Sequence, residues 1–201
     1  MTMHVTMLPN GRKYEVKTEQ QDKLEALVFK AYAEMKHPCV YHMLAHIHDA
    51  EAFRGSKRNL IRLFERKLKK AYKRTKQNTP NTLIAYSIEF KYTDWNEVED
   101  RGYRSESVGN NVPFLHIHFY VIADCCSGTR PQSFTTYARQ ALNEIPGLRK
   151  GRYLKSYFGK QYKTLRTEFD DTFQKLLYIA KVDQKSPEIP YRSTFGASRL
   201  Q

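Results

Sequence analysis

Residues 114–121 read Phe-Leu-His-Ile-His-Phe-Tyr-Val, a β-prone run in which the imidazoles of His116 and His118 are set one residue apart. Alternate side chains of a strand face opposite ways, so the two histidines share a face while Leu115, Ile117, Phe119 and Val121 occupy the other. Such a strand needs a sheet with an apolar core against one side and polar chemistry on the other. Two neighbouring imidazoles are half of a site for a divalent metal. Core histidines satisfied by backbone hydrogen bonds explain a single ring better than a pair.

The flanking sequence supplies the rest of the sheet. Leu83–Tyr92 alternates too, with Ile84, Tyr86, Ile88 and Phe90 on one face and Ala85, Ser87 and Glu89 on the other. A polar connection, Asp94–Asn111, joins it to Pro113–Ala123 as a long-looped hairpin. In that hairpin Glu89 projects beside His116 and His118 and offers the carboxylate that a hard ion wants next to imidazole; an ordinary cross-strand glutamate is the competing explanation. Cys39–Ile47 reads as a further strand; His42, His46 and His48, with His46-Ile-His48 repeating the H-x-H spacing, read as residues that support the ligands or contact DNA, with ligation of the metal as the alternative.

Helices are expected over Gln20–Met35, ended by Pro38; over Ser56–Lys76, capped by Ser56, with Leu60, Phe64, Leu68 and Tyr72 as its apolar stripe; over Ser133–Glu144; and over Gln161–Val182. Arg152–Phe158 is a candidate strand, and the tail from Lys185 is expected to be extended. The order of elements predicts an α+β fold, a central antiparallel sheet flanked by helices. The chain divides into a helical lead-in, residues 1–36, and one domain, residues 37–201.

In the last expected helix, Tyr178 and Lys181 are three apart and share a face that lies off the stripe of Leu176 and Ala180. A tyrosine so placed can approach a phosphate while the lysine stabilises charge, although a rim tyrosine of an amphipathic helix has the same pattern. Tyr120, Tyr153, Tyr157 and Tyr162 are rivals, and Asp171, two turns earlier, is a remote helper. The metal half-site and the tyrosine–lysine pair together suit breakage of a DNA strand through a phosphotyrosine.

Charge agrees with an anionic partner: 34 Lys+Arg against 21 Asp+Glu give +13. The segment 57–76 concentrates it, with Lys57, Arg58, Arg62, Arg66, Lys69, Lys70, Lys73 and Arg74 among ten cations and Glu65 the only acid. A solvated helix face normally mixes signs, so phosphate contact is the favoured reading. Arg152 and Lys155 belong to a second, smaller basic cluster with Arg149 and Lys150. Cys39, Cys125 and Cys126 make neither a disulfide framework nor a zinc motif. With no membrane-length apolar stretch and no signal pattern at the N-terminus, a cytoplasmic protein with reduced thiols is expected.

Ile88-Glu89-Phe90 followed by His116-Ile-His118-Phe-Tyr-Val resembles the metal-binding strand pair of the HUH endonucleases. Leu165-Arg-Thr-Glu168-Phe169-Asp-Asp171, Tyr178-Ile-Ala-Lys181-Val-Asp183-Gln184 and Arg192-Ser-Thr-Phe195-Gly196-Ala-Ser198-Arg199 are similar to the inovirus-type replication initiation proteins of filamentous phages and prophages. The resemblance covers roughly residues 38–201. It implies a small ferredoxin-like or RRM-like α+β fold, Mn²⁺ or Mg²⁺ held by Glu89, His116 and His118, and Tyr178 as the single nucleophile assisted by Lys181. It further implies single-stranded DNA at a replication origin as substrate, the host replication machinery as partner, and the bacterial cytoplasm as location. The connection between Glu89 and His116 is longer than the family's short turn, and Glu97, Glu99 or Glu106 can stand in as the carboxylate.

Two other classes compete for the same residues. A cupin-like metal enzyme needs a glutamate soon after the pair and a later histidine; Phe-Tyr-Val-Ile-Ala-Asp124 follows His118, and no histidine lies beyond it. A non-catalytic DNA-binding regulator on the same fold keeps the basic surface but has no need of Glu89, His116, His118, Tyr178 and Lys181 together. No glycine-rich phosphate loop is present, so no ATP site is expected.

Overall fold

The computed structural model describes residues 3–7, 13–75, 77–93, 112–125, 131–153, 162–181 and 189–200. A two-stranded sheet of β1 (Met3–Met7) and β2 (Lys13–Lys17) leads into α1 (Thr18–Glu34). Then follow β3 (Pro38–Ile47), α2 (Ala50–Lys57), α3 (Leu60–Arg74), β4 (Thr82–Thr93), β5 (Val112–Asp124), α4 (Pro131–Asn143) and β6 (Leu148–Tyr153). The chain ends with β7 (Lys163–Thr164), α5 (Phe169–Leu176), a 3₁₀ turn at Leu177–Ala180 and β8 (Phe195–Ala197).

The large sheet has the order β6-β3-β5-β4-β8, every pairing among the described residues is antiparallel, and β7 also pairs with β3. Because β3 and β4 each pair antiparallel with β5, they run parallel to each other. The βαββαβ segment from β3 to β6 is therefore ferredoxin-like, two split βαβ units interleaved. The fold is α+β with its sheet between helical layers, as the element pattern predicted.

Strand alternation divides the core in two. On the back face Tyr41, Met43, Ile84, Ile88, Ile117 and Phe119 pack under Phe53 of α2, Leu60, Phe64 and Leu68 of α3, and Phe134 and Ala138 of α4. Each large side chain buried there contributes about 1.5–3 kcal/mol. On the front face Val40, Ala85, Tyr120 and Ile122 pack under Leu24, Leu27, Val28 and Ala31 of α1 and Leu176 of α5. The boundary expected after residue 36 thus falls between a helix and the sheet which that helix covers.

Several boundaries differ from expectation. The helix foreseen over Ser56–Lys76 is α3, which starts at Leu60 because a separate helix, α2, already occupies Ala50–Lys57. Asp49 caps α2, its Oδ1 accepting from the Ala52 amide at 2.9 Å, while Ser56, the expected cap of the later helix, turns its Oγ back to the Ala52 carbonyl. Gly147 makes room for this cap: its φ is +82°, and a Cβ there would lie 2.5 Å from the Asp49 carbonyl oxygen. The long helix foreseen over Gln161–Val182 is replaced by β7, a turn, α5 and the 3₁₀ turn, because Lys163 bonds to Glu168 and Asp171 across the turn. The strand expected at Arg152–Phe158 overlaps β6, which occupies Leu148–Tyr153; the rest of that expectation, residues 154–158 with Tyr157 among them, lies outside the described residues. Part of the extended tail is β8, held on the edge of β4 by the Ser198 amide, which donates to the Ile84 carbonyl, and by Ser198 Oγ, which accepts from the Ile84 amide.

Candidate metal centre with an adjoining tyrosine

The register of the β4–β5 hairpin sets Glu89 directly across from His116 and Ser87 across from His118. Strand parity then puts Glu89, His116 and His118 on the front face, beyond the end that α1 and α5 cover. All three are buried: Glu89 is 0%, His116 3% and His118 5% exposed. Their donor atoms lie within 4.8 Å of one another. Nε2 of His118 is 3.5 Å and Nε2 of His116 3.9 Å from Glu89 Oε2. Ligand bonds of about 2.1 Å at near-right angles separate donor atoms by about 3 Å, so the three converge at close to coordination spacing.

Hydrogen bonds around the rings test whether the lone pairs face inward. Nδ1 of His116 lies 3.1 Å from the Phe114 carbonyl, which can only accept, so Nδ1 carries the proton and Nε2 is bare. His118 is fixed by a longer relay. Tyr120 Oη donates to the Lys175 carbonyl at 3.1 Å and so accepts from His42 Nδ1, 3.3 Å away. Neutral His42 then has a bare Nε2, which accepts from His118 Nδ1 at 2.8 Å and leaves His118 Nε2 bare. Burial and the neighbouring His118 hold His42 well below the usual imidazole range. Burial, with His118 beside it, likewise lowers His116 to about 3, Glu89 opposing. Neutral imidazoles with Nε2 turned to a carboxylate are the state that ligates a metal. The residues present fit a metal ion.

Tyr178 sits on the 3₁₀ turn rather than in a helix, yet it reaches the same place. Its ring meets His118 edge-to-face at 5.7 Å between centroids. Lys181 Nζ donates to Tyr178 Oη at 2.7 Å and is 3.5 Å from Glu89 Oε2. The Lys181 side chain is 1% exposed, and a buried ammonium is tolerable only when paired as it is here. The backbone of Lys181 bridges to Val16 of β2, which anchors the turn.

The other candidates disperse. His42 supports a ligand, His46 stacks on Phe114 at 5.2 Å, and His48 is exposed. Asp171 is bonded to Lys163 and Lys175, and no contact with Tyr178 is found among the described residues. Tyr120 belongs to the relay, and Tyr162 packs against Tyr41 on the back face. Lys57, Arg58, Arg62, Arg66, Lys69, Lys70, Lys73 and Arg74 belong to α2, α3 and the junction between them, across the sheet from the metal cluster. Arg152 pairs by backbone with Leu44; its side chain, like Glu97, Glu99, Glu106 and Lys155, lies outside the described residues. Arg149 of the second basic cluster and Lys91, which the sequence did not single out, are carried by β6 and β4 on the front face, each close enough to depress a histidine there. Parity was the available signal for both.

Among the described residues no helix is long and apolar enough to cross a membrane. No family model, curated protein or solved structure matches the chain.

Proposed function

We propose that the protein is a metal-dependent nickase that cuts and rejoins single-stranded DNA through a 5′-phosphotyrosyl link on Tyr178, initiating rolling-circle replication. One observation carries the reading: a single buried ammonium, Lys181 Nζ, touches both the Tyr178 hydroxyl and the carboxylate of a Glu-His-His cluster. A tyrosine and a lysine kept only for packing have no reason to meet at a metal-competent carboxylate. The motifs' resemblance to inovirus-type initiators supports the same assignment, with a bacterial cytoplasm, an origin strand and host replication proteins as its setting.

Glu89, His116 and His118 would hold Mn²⁺ or Mg²⁺, which when bound polarises a non-bridging oxygen of the scissile phosphate. Free tyrosine ionises near pH 10, and the Lys181 ammonium, already donating to Oη, favours the phenolate. Tyr178 Oη bonds to phosphorus as the bond from phosphorus to the 3′ oxygen breaks. That oxygen leaves with the electron pair and gains a proton, balancing the one Tyr178 gives up. Lys91 and Arg149 supply positive potential for the strand on the front face. Reversal of the attack rejoins the strand, so no nucleotide cofactor is consumed.

The test is incubation with Mn²⁺ and labelled single-stranded DNA from the replicon encoding the protein, read on a denaturing gel. A covalent adduct that needs metal and is lost in Tyr178→Phe and His116→Ala is the expected result. An adduct surviving Tyr178→Phe moves the nucleophile elsewhere. Tight binding to candidate origins with no adduct replaces the nickase by the non-catalytic regulator.

A further inference from the structure

A dense row of cations among the described residues faces away from the metal cluster. Leu60, Phe64, Leu68, Ala71 and Tyr72 turn one side of α3 onto the back of the sheet. The outward side, with Arg58 of the α2–α3 junction, then presents Arg62, Arg66, Lys69, Lys70 and Lys73, all six exposed. Lys67 and Arg74 are engaged by Glu144 at 3.4 and 3.5 Å. Among the described residues no ion pair neutralises the six. At 1.5 Å per residue α3 is about 22 Å long, and a groove of about 420 Å³ lined by Gly55, Ser56, Asn59, Arg62, Leu63 and Arg66 runs where it meets α2.

A strand lying against Tyr178 cannot reach this row at the same place, because the sheet and a helix about 10 Å thick stand between. The row therefore serves a second stretch of polymer. Single-strand surfaces pair cations with aromatic rings on which bases stack, and the outward face of α3 carries no aromatic side chain. A rigid line of cations matches instead the regular phosphates of a duplex, one charge per about 1.7 Å of axis. Nor is this a lipid-binding helix, since its apolar side is spent on the sheet. We propose that the outward face of α3 is a docking surface for the backbone of duplex DNA, held independently of the single strand at Tyr178. This rests on the nickase reading only for what occupies the front face.

The test uses the full chain, a labelled 20-bp duplex of arbitrary sequence and a labelled 12-nucleotide single strand from the encoding replicon. The variant Arg62→Gln/Arg66→Gln/Lys69→Gln should bind duplex at least tenfold more weakly, with the slope of log affinity against log salt shallower by about 2–3. In the unaltered protein, energy transfer between the two labels should report both bound at once. Duplex affinity unchanged in the variant, equal affinity for single strands of the same length, or mutual displacement of the two probes overturns the proposal. If no covalent adduct ever forms, the nickase reading fails, while the variant's duplex affinity and salt slope still decide this surface.

Discussion

Replacing His42 with phenylalanine tests the relay behind the metal cluster. The ring of His42 stacks on Tyr120 at 4.3 Å with 13° between planes, and the residue is 1% exposed. Phenylalanine keeps that shape and removes both nitrogens. The His118 Nδ1 proton then loses its acceptor, 2.8 Å away in the native protein. A buried donor left without a partner costs about 1–3 kcal/mol. The ring can escape by moving its proton to Nε2, the atom 3.5 Å from Glu89 Oε2, where a metal must displace it. Through that escape, which the metal must reverse, binding loses up to about 1–3 kcal/mol, a 5- to 150-fold rise in Kd that brackets the loss of about 10- to 100-fold typical of such supporting partners. Calorimetric titration with Mn²⁺ measures the rise, and ¹⁵N shifts of the imidazoles in metal-free protein report the tautomer directly. Tyr120→Phe, which leaves His42 in place but removes its anchor to the Lys175 carbonyl, should give a smaller loss in the same direction. A folded His42→Phe protein binding Mn²⁺ within twofold of the native Kd, or a native His118 protonated on Nε2, would refute the reasoning.

Two further outcomes concern stability. Burial lowers His116 to about 3 and His46 to about 4, and puts His42 well below its ordinary value. The unfolded chain therefore binds more protons between pH 6.5 and about 4. Stability should be full above that window and fall as pH drops through it, by up to about 1.4 kcal/mol per pH unit for each group; urea midpoints at pH 7, 6 and 5 that do not move contradict this. Gly196→Ala would put a Cβ 2.5 Å from the Tyr86 ring. Tyr86 is pinned in the core against Phe119, so the change should cost about 1–3 kcal/mol as overpacking, read from urea denaturation, and neutrality there would show that β8 yields freely.

How much of this was legible in the sequence depended on where the periodicity was unambiguous. The β4–β5 hairpin and the face that Glu89 shares with the two histidines were readable because both strands alternate over eight or more residues; the Glu89–His116 register was not, since the long connection Asp94–Asn111 left Glu97, Glu99 and Glu106 open as well. The segment 161–182 was not, because Leu165, Phe169, Phe173, Leu176 and Ala180 fit a helical stripe even though Leu165 belongs to a turn. The contrary sign was the apolar run Leu176-Leu177-Tyr178-Ile179-Ala180: Leu177 and Ile179 are buried along with Leu176 and Ala180, which one face of a helix cannot do. Tyr178 and Lys181 were still paired correctly, since a 3₁₀ turn also brings residues i and i+3 together. The β1–β2 pair was missed although Asn10-Gly11 between two alternating runs is a hairpin signal. The relay could be seen only in part: parity put Tyr120 with the histidines, but pairing with His42 depends on the β3–β5 register, which no local pattern sets.

The Val16–Lys181 bridge joins residues from opposite ends of the chain. The Glu-His-His grip, by contrast, is drawn from one hairpin, across 29 residues or fewer. Contacts of low sequence separation form before those that must close long loops. Order of assembly is thus written into the topology: the grip matures with the hairpin, and the tyrosine arrives only when β2 has met the turn that carries it. A nascent or partly opened chain would hold the grip without its tyrosine.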